Sequence, residues 1–258
     1  MKIILTLTTV PNRLCEKREH MGTIHGLKTI LNQSYDNFEV HFNIPREYKG
    51  ELIDIPEWLT ELQQTFPFLK IFRTEDYGPV TKILPTLERG GDPEDIIITV
   101  DDDLIYMDGI IPAHLDGRNR YPNCAIGFAG LGGVQDRGIH HVTSYNRDIR
   151  VKVLEGYKTV SYTRSWFDVQ EFKDNFALEI WQDDHSISAY MGYKNIEKWC
   201  LTHSSIIDFS PRVESFPVVK HANVERGGCR LYRDIDDSGD KANENKLQQF
   251  YKLGYLDR

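Results

Sequence analysis

Apolar residues fall along the chain in two alternating rhythms. Ile3-Ile4-Leu5 and Ile96-Ile97-Ile98-Thr99-Val100 are apolar or β-branched at nearly every position, the pattern of a strand covered on both faces. Between them, Ile24, Leu27, Ile30 and Leu31 recur at helical spacing, as do Leu59, Leu62 and Phe66. The pattern predicts a strand over 2–8, a helix over 18–31 stopped by Asn32-Gln33-Ser34, and a strand over 38–44 closed by Pro45. That is a βαβ unit, which requires a parallel strand pair with a right-handed crossover. A helix over 58–66, a strand over 69–72, a loop over 74–79, a short helix over 80–87 and a break at Gly90-Gly91 lead to the second β-branched strand. Strand alternating with helix predicts a doubly wound α/β sheet, mostly parallel, with helices on both faces.

Beyond residue 103 the rhythm loosens. Expected there are a helix over 108–118, a strand over 125–128, a flexible break at Gly130-Leu131-Gly132-Gly133, and strands over 151–154 and 159–162. A helix follows Asp183-Asp184, then a strand over 218–221, an acidic polar loop over 233–245 and a terminal helix over 246–253. No repeat and no linker interrupts the pattern, so the sequence reads as one domain over 1–258, in two halves meeting near residue 105.

Composition narrows the partners. The 258 residues carry 31 Lys and Arg against 39 Asp and Glu, a net charge of -8, which excludes a phosphate-rich polymer but admits a small phosphorylated ligand with its own metal ion. The apolar start at Met1-Lys2-Ile3-Ile4-Leu5 has no signal-peptide pattern, and no run is long enough to span a membrane. Cys15, Cys124, Cys200 and Cys229 are widely scattered, as in reduced cytoplasmic proteins.

The second β-branched strand ends in Asp101-Asp102-Asp103. Ligands of open α/β sheets bind beyond the carboxyl ends of the strands. Three like charges there repel one another, and a hard divalent cation relieves the repulsion while keeping part of its shell for substrate phosphates. A solvated acidic turn is the blander reading. A haloacid-dehalogenase-type phosphotransferase also places Asp-x-Asp after a buried strand, but it requires a Thr shortly after the second acid, where Leu104 and Ile105 stand.

Three more segments carry candidate chemistry. In Asp76-Tyr77-Gly78-Pro79-Val80-Thr81-Lys82, Gly and Pro shape a turn, and Thr81 and Lys82 start a helix suited to an anion. Thr8, Pro11 and Arg13 lie on the same rim as the acids, where a rigid loop holds a nucleobase and Arg13 reaches phosphate or ribose. In Trp181-Gln182-Asp183-Asp184-His185, the acids either cap a helix or give one carboxylate the work of a general base. Of the histidines, His140-His141 sits in a Gly-rich loop, and His221 ends a strand, as a structural hydrogen-bonder or the last ligand of a metal.

Together these segments resemble a known family. Leu31-Asn32-Gln33-Ser34-Tyr35-Asp36-Asn37-Phe38-Glu39-Val40 resembles the helix-to-strand signature of family 2-type glycosyltransferases with the GT-A fold. The 76–82 segment, then Ile98 to Asp103 with Tyr106, is similar to a subgroup of them with members in bacteria and in large DNA viruses of algae, including a viral rhamnosyltransferase domain. Gly156-Tyr157-Lys158-Thr159-Val160-Ser161-Tyr162 and Arg164 look like that subgroup's acceptor-side strand, and Asp183-Asp184-His185-Ser186-Ile187-Ser188-Ala189-Tyr190 like its Asp-Asp helix start.

The resemblance implies a nucleotide-diphosphate sugar as donor and a glycan or other hydroxyl as acceptor, with inversion at the anomeric carbon. It implies a donor half over about 1–105, in which Asp101 and Asp102 contact ribose or sugar. Asp103, with Asp101, then holds Mn2+ or Mg2+ on the diphosphate, Lys82 offsets its charge, and Asp184, with Asp183 second, acts as the base. The scattered cysteines and the apolar start place the expected enzyme in the cytoplasm, the host's if it is virus-encoded.

The sequence departs from the family at Asn43-Ile44-Pro45, where relatives close the second strand with an Asp that reads the base. Base recognition is therefore assigned to Thr8, Arg13 and Asp76, with Tyr77 and Gly78 beside them. Residues after Lys194 match no part of the family. Two other readings stay open. One is a sugar-nucleotide nucleotidyltransferase, whose Gly- and Arg-rich first loop is missing from 8–13. The other is a non-catalytic sugar-nucleotide or glycan binder.

Overall fold

The β-branched runs form the middle of the sheet. The structure is a computed structural model that describes residues 1–14, 23–104, 106–133, 147–177, 182–202 and 248–256. The first half supplies β1 (Ile3–Thr8), β2 (Phe38–Pro45), a small hairpin β3 (Glu47–Tyr48) and β4 (Glu51–Leu52), β5 (Leu69–Thr74) and β6 (Ile96–Thr99). The second half adds β7 (Ala125–Gly127), β8 (Gly130–Gly133), β9 (Ile149–Leu154), β10 (Val160–Thr163) and β11 (Lys198–Cys200). All except the hairpin join one sheet in the order β5-β2-β1-β6-β10-β7-β11-β9-β8. The pairs β5–β2, β2–β1 and β1–β6 are parallel, as the βαβ reading requires. Beyond β6 the sheet becomes mixed, with β10 antiparallel to both β6 and β7.

That antiparallel strand decides where the second half contributes. β10 starts beside the end of β6, with Val160 opposite Thr99, so residues 156–159 lie at the same rim as the acids.

Each face of the sheet buries its own cluster. Ile96, Ile98 and Val100 pack with Leu5, Leu7, Phe42 and the helices α2 (Thr23–Leu31), α3 (Glu57–Thr65) and α5 (Ile110–Arg120). Ile97 points the other way, toward α4 (Leu84–Glu88), α6 (Val169–Phe172) and α7 (Asp183–Tyr193), as the strand period of two dictates. Among the described residues, no helix is long and apolar enough to cross a membrane.

Four expectations are corrected. The loop after β1 contains a helical turn, α1 (Pro11–Leu14), opened by a proline that needs no N–H partner there. The helix expected over 80–87 splits into a 3-10 turn, Gly78–Lys82, and α4, because Pro85 has no N–H to continue one ladder. Gly130–Gly133 is a strand: a Cβ on Gly130 would stand 2.8 Å from the Val153 carbonyl oxygen, so glycine permits close pairing with β9. Thr81 lends its hydroxyl to the Tyr77 N–H at 2.8 Å, closing its own turn.

The described helix before β2 starts at Thr23, and residues 248–252 are helical. Cys15, His140, His141, Trp181, His221, Cys229, the strand expected over 218–221 and the loop expected over 233–245 lie outside the described residues.

Candidate active site

Four segments distant in sequence converge at the carboxyl end of β6. Lys82, ending the 3-10 turn, places its ammonium 2.7 Å from Asp101 and 2.8 Å from Asp183. Its side chain is only 10% exposed. Burial works against the Lys82 charge, yet Asp101, Asp183 and Asp184 outweigh it and hold the lysine well above its ordinary pKa. One buried cation therefore joins the strand-end acids to the start of α7.

Asp184 stands beside this pair. Its Oδ1 accepts the Gly156 N–H at 2.8 Å. A Cβ on Gly156 would lie 2.9 Å from that oxygen and 3.5 Å from the Lys82 ammonium, so glycine lets the backbone approach. Burial, then the Asp183 carboxylate, pushes the Asp184 carboxyl well above the ordinary range, while Lys82 and Gly156 oppose the shift.

The three strand-end acids divide their work. Asp102 is buried and accepts from Arg13 on Oδ1 and from the Thr9 and Thr23 hydroxyls on Oδ2, the latter at 2.9 Å. It fastens α2 and the first loop to the strand end. Arg13 also reaches Asp103 at 3.0 Å. Burial, then the Asp102 charge, raises the Asp103 carboxyl to about 6, against Arg13. Asp101 and Asp103 keep 26% and 21% of their side chains exposed. Among the described residues, no group of three or more His, Cys, Asp or Glu side chains is placed to hold a metal ion. Asp101 and Asp103 are hard oxygen donors of the type Mg2+ or Mn2+ takes beside phosphates and water, and here each is paired with a cation, Lys82 and Arg13.

The remaining candidates separate. Pro11 opens α1. Thr8 ends β1 with its hydroxyl oxygen buried and without a hydrogen-bond partner among the described residues. Asp76 accepts the Gly78 N–H at 2.9 Å, and Gly78 takes φ +68°, so both residues shape the turn that delivers Lys82. The Tyr77 hydroxyl donates to Glu75 and lies 3.1 Å from the Lys173 ammonium.

Asn43 is fully buried and donates to the Lys82 carbonyl, Thr6 and Thr86, each at 3.1 Å, while Arg89 donates to it at 2.8 Å. A carboxylate could not donate to those three oxygens. Asn43 holds the lysine's turn from beneath.

The sequence gives no role to three residues that the structure brings to the site: Tyr106 and Thr159, which stand in its motifs, and Gly26, which does not. The Tyr106 phenol accepts the Asp101 N–H at 2.7 Å and donates to the Tyr157 carbonyl at 3.3 Å. Thr159 adopts φ +66°, a conformation that costs a β-branched residue about 1–3 kcal/mol. Gly26 in α2 touches the acidic loop, where a Cβ would collide with the Asp102 carbonyl oxygen. Gly26→Ala is expected to lever α2 off that loop and destabilise the protein by about 1–3 kcal/mol. Urea unfolding checks this, and an unchanged midpoint would show that the loop yields freely.

No protein-family model and no curated protein matches the chain. Solved structures do. S. aureus TarS 1-349 in complex with UDP-GlcNAc superposes with TM-score 0.52 at 15% identity, over 98% of this chain and 73% of that one. TarS 1-349 gives 0.51 at 13%, over 98% and 72%. A longer TarS chain gives 0.51 at 14% identity, with 99% of this chain covering 44% of it. The fold is GT-A. Identities this low speak for the fold alone. The α/β class read from the strand runs is thereby borne out, and the residues of the rim carry the functional argument.

Proposed function

We propose that the protein is a metal-dependent, inverting glycosyltransferase that moves a sugar from a nucleotide-diphosphate donor to a hydroxyl of a glycan or similar acceptor. The observation that carries this reading is the Lys82 bridge. It sets Asp101, at the strand end where nucleotides bind, within one ammonium's width of Asp183 and beside Asp184. Such a rim has a donor side and an acceptor side, and a single displacement needs both.

On the donor side, Asp103 and Asp101 would hold Mn2+ or Mg2+, which supplies positive charge against the departing diphosphate. Lys82 adds a second fixed charge, and Arg13 faces the same acids. The free Thr8 hydroxyl offers a hydrogen bond to the nucleobase, with Pro11, Asp76, Tyr77 and Gly78 shaping the loops around it. UDP-GlcNAc, bound in TarS, makes uridine sugars the first to test. Asp102 serves by holding Arg13 in place.

On the acceptor side, Asp184 is the base. Asp183 is tied to Lys82, whereas Asp184 is held by a backbone N–H and carries the raised pKa that makes a carboxylate a better proton acceptor.

The test is a thermal-shift panel of UDP-, GDP-, dTDP- and CMP-sugars with and without Mn2+, on wild type and Asp103→Ala. One nucleotide should raise the melting temperature only with metal, and the shift should vanish in the variant. No shift with any nucleotide overturns the donor site. With an acceptor present, release of a nucleoside diphosphate rather than pyrophosphate separates sugar transfer from nucleotidyl transfer.

A further inference from the structure

The turn Gly156–Lys158 stands between the two sides of the rim, and it is fastened at three points. Its first residue gives its N–H to Asp184 at 2.8 Å. Its second accepts the Tyr106 phenol, which also receives the Asp101 N–H. The residue that leaves it, Thr159, donates its N–H to the Gly156 carbonyl at 2.9 Å and sits at φ +66°, ψ +139°, a region that glycine normally occupies. What holds Thr159 there is beneath the site: its hydroxyl lies 2.7 Å from Nε2 of His114, a fully buried side chain of α5 packed edge-on against Phe128.

We propose that Thr159, His114 and Tyr106 are positioning residues that lock this turn, so that one rigid piece of backbone sets Asp184 relative to Asp101. None of the three needs to touch substrate. A threonine at a glycine-type φ is kept only where its surroundings over-determine it, and here the His114 contact and the packing of α5 do so. The catalytic consequence rests on the transferase reading, whereas the lock itself does not.

Thr159→Ala removes the latch and leaves every rim carboxylate in place. Thr159→Ser keeps the hydroxyl, and Thr159→Gly suits the backbone without it, standing in for the alanine variant if that does not fold. Two readouts are needed: steady-state kinetics with donor and acceptor, and hydrogen exchange at the Gly156 amide without substrate. The alanine variant should lose about 10- to 100-fold in kcat, the scale of an ångström-sized misplacement, with KM for both substrates within about threefold. The serine variant should stay near wild type.

The Gly156 amide should exchange faster in Thr159→Ala by more than the variant's loss of global stability accounts for. Unchanged exchange overturns the lock. Faster exchange with kcat within about threefold of wild type overturns the positioning role. A wild type that turns over no donor defeats the transferase reading instead, and the exchange result then decides the lock alone.

Discussion

Asp184→Asn is expected to lower turnover by about 10²- to 10⁴-fold while leaving metal-dependent donor binding intact, the loss typical of removing a positioned general base. The amide matches the carboxylate in shape, and its oxygen still accepts the Gly156 N–H, so the rim keeps its geometry. What disappears is the capacity to take a proton from the acceptor hydroxyl. Asp183→Asn should differ in kind. It removes a partner of Lys82, so its effect falls on the lysine and on stability as well as on rate.

The pH profile gives a second handle. A base works deprotonated, so activity rises with pH through its pKa. Burial and the neighbouring Asp183 raise that pKa, so the acid limb of the wild-type profile should lie above the ordinary aspartate value of about 3.9. A variant that keeps wild-type turnover, or a limb at the ordinary value, would move the role away from Asp184.

Much of this rim was legible in the chain, but only in pieces. The all-apolar runs at Ile3 and Ile96 place two strands in the middle of the sheet, because only a doubly covered strand tolerates apolar residues on both faces. The strand-end rule then selects Asp101 to Asp103 as the focus. Glycine was harder to interpret. In Gly130–Gly133 it reads as a break, yet it serves close strand pairing, and at Gly156 and Gly26 it serves close approach to another segment. Local sequence signals a missing side chain without saying what fills the space.

Long-range pairing was hidden for the same reason. Charge and spacing mark Lys82, Asp101 and Asp183 as chemical residues, but only topology puts one ammonium between acids 19 and 101 positions away along the chain. Asp102 and Asn43 illustrate the converse. Both stand at motif positions, and both spend their hydrogen bonds on protein partners, because each lies beneath the rim. Thr159 reads locally as the start of a strand, and neither its positive φ nor its contact with His114, 45 residues earlier, is signalled there.

Lys82→Met is expected to destabilise the protein by about 3–5 kcal/mol, the range for removing one partner of a buried ion pair. Methionine fills similar space, and the residue's backbone carbonyl still accepts from Asn43, so the turn is not the main loss. The loss is electrostatic. Asp101, Asp183 and Asp184 would face one another with no ammonium between them.

Two consequences separate this from a packing defect. Adding Asp183→Asn to Lys82→Met should recover part of the stability, since it removes one of the repelling charges, and the two changes should be strongly non-additive. The deficit should also depend on pH. Without Lys82 the folded carboxylates bind protons more readily than the unfolded ones, so stability falls as pH rises and partly returns on acidification. Urea unfolding of the single and double variants over a series of pH values measures both effects. A loss under about 1 kcal/mol, additive with Asp183→Asn and flat with pH, would mean that solvent, not Lys82, neutralises these acids.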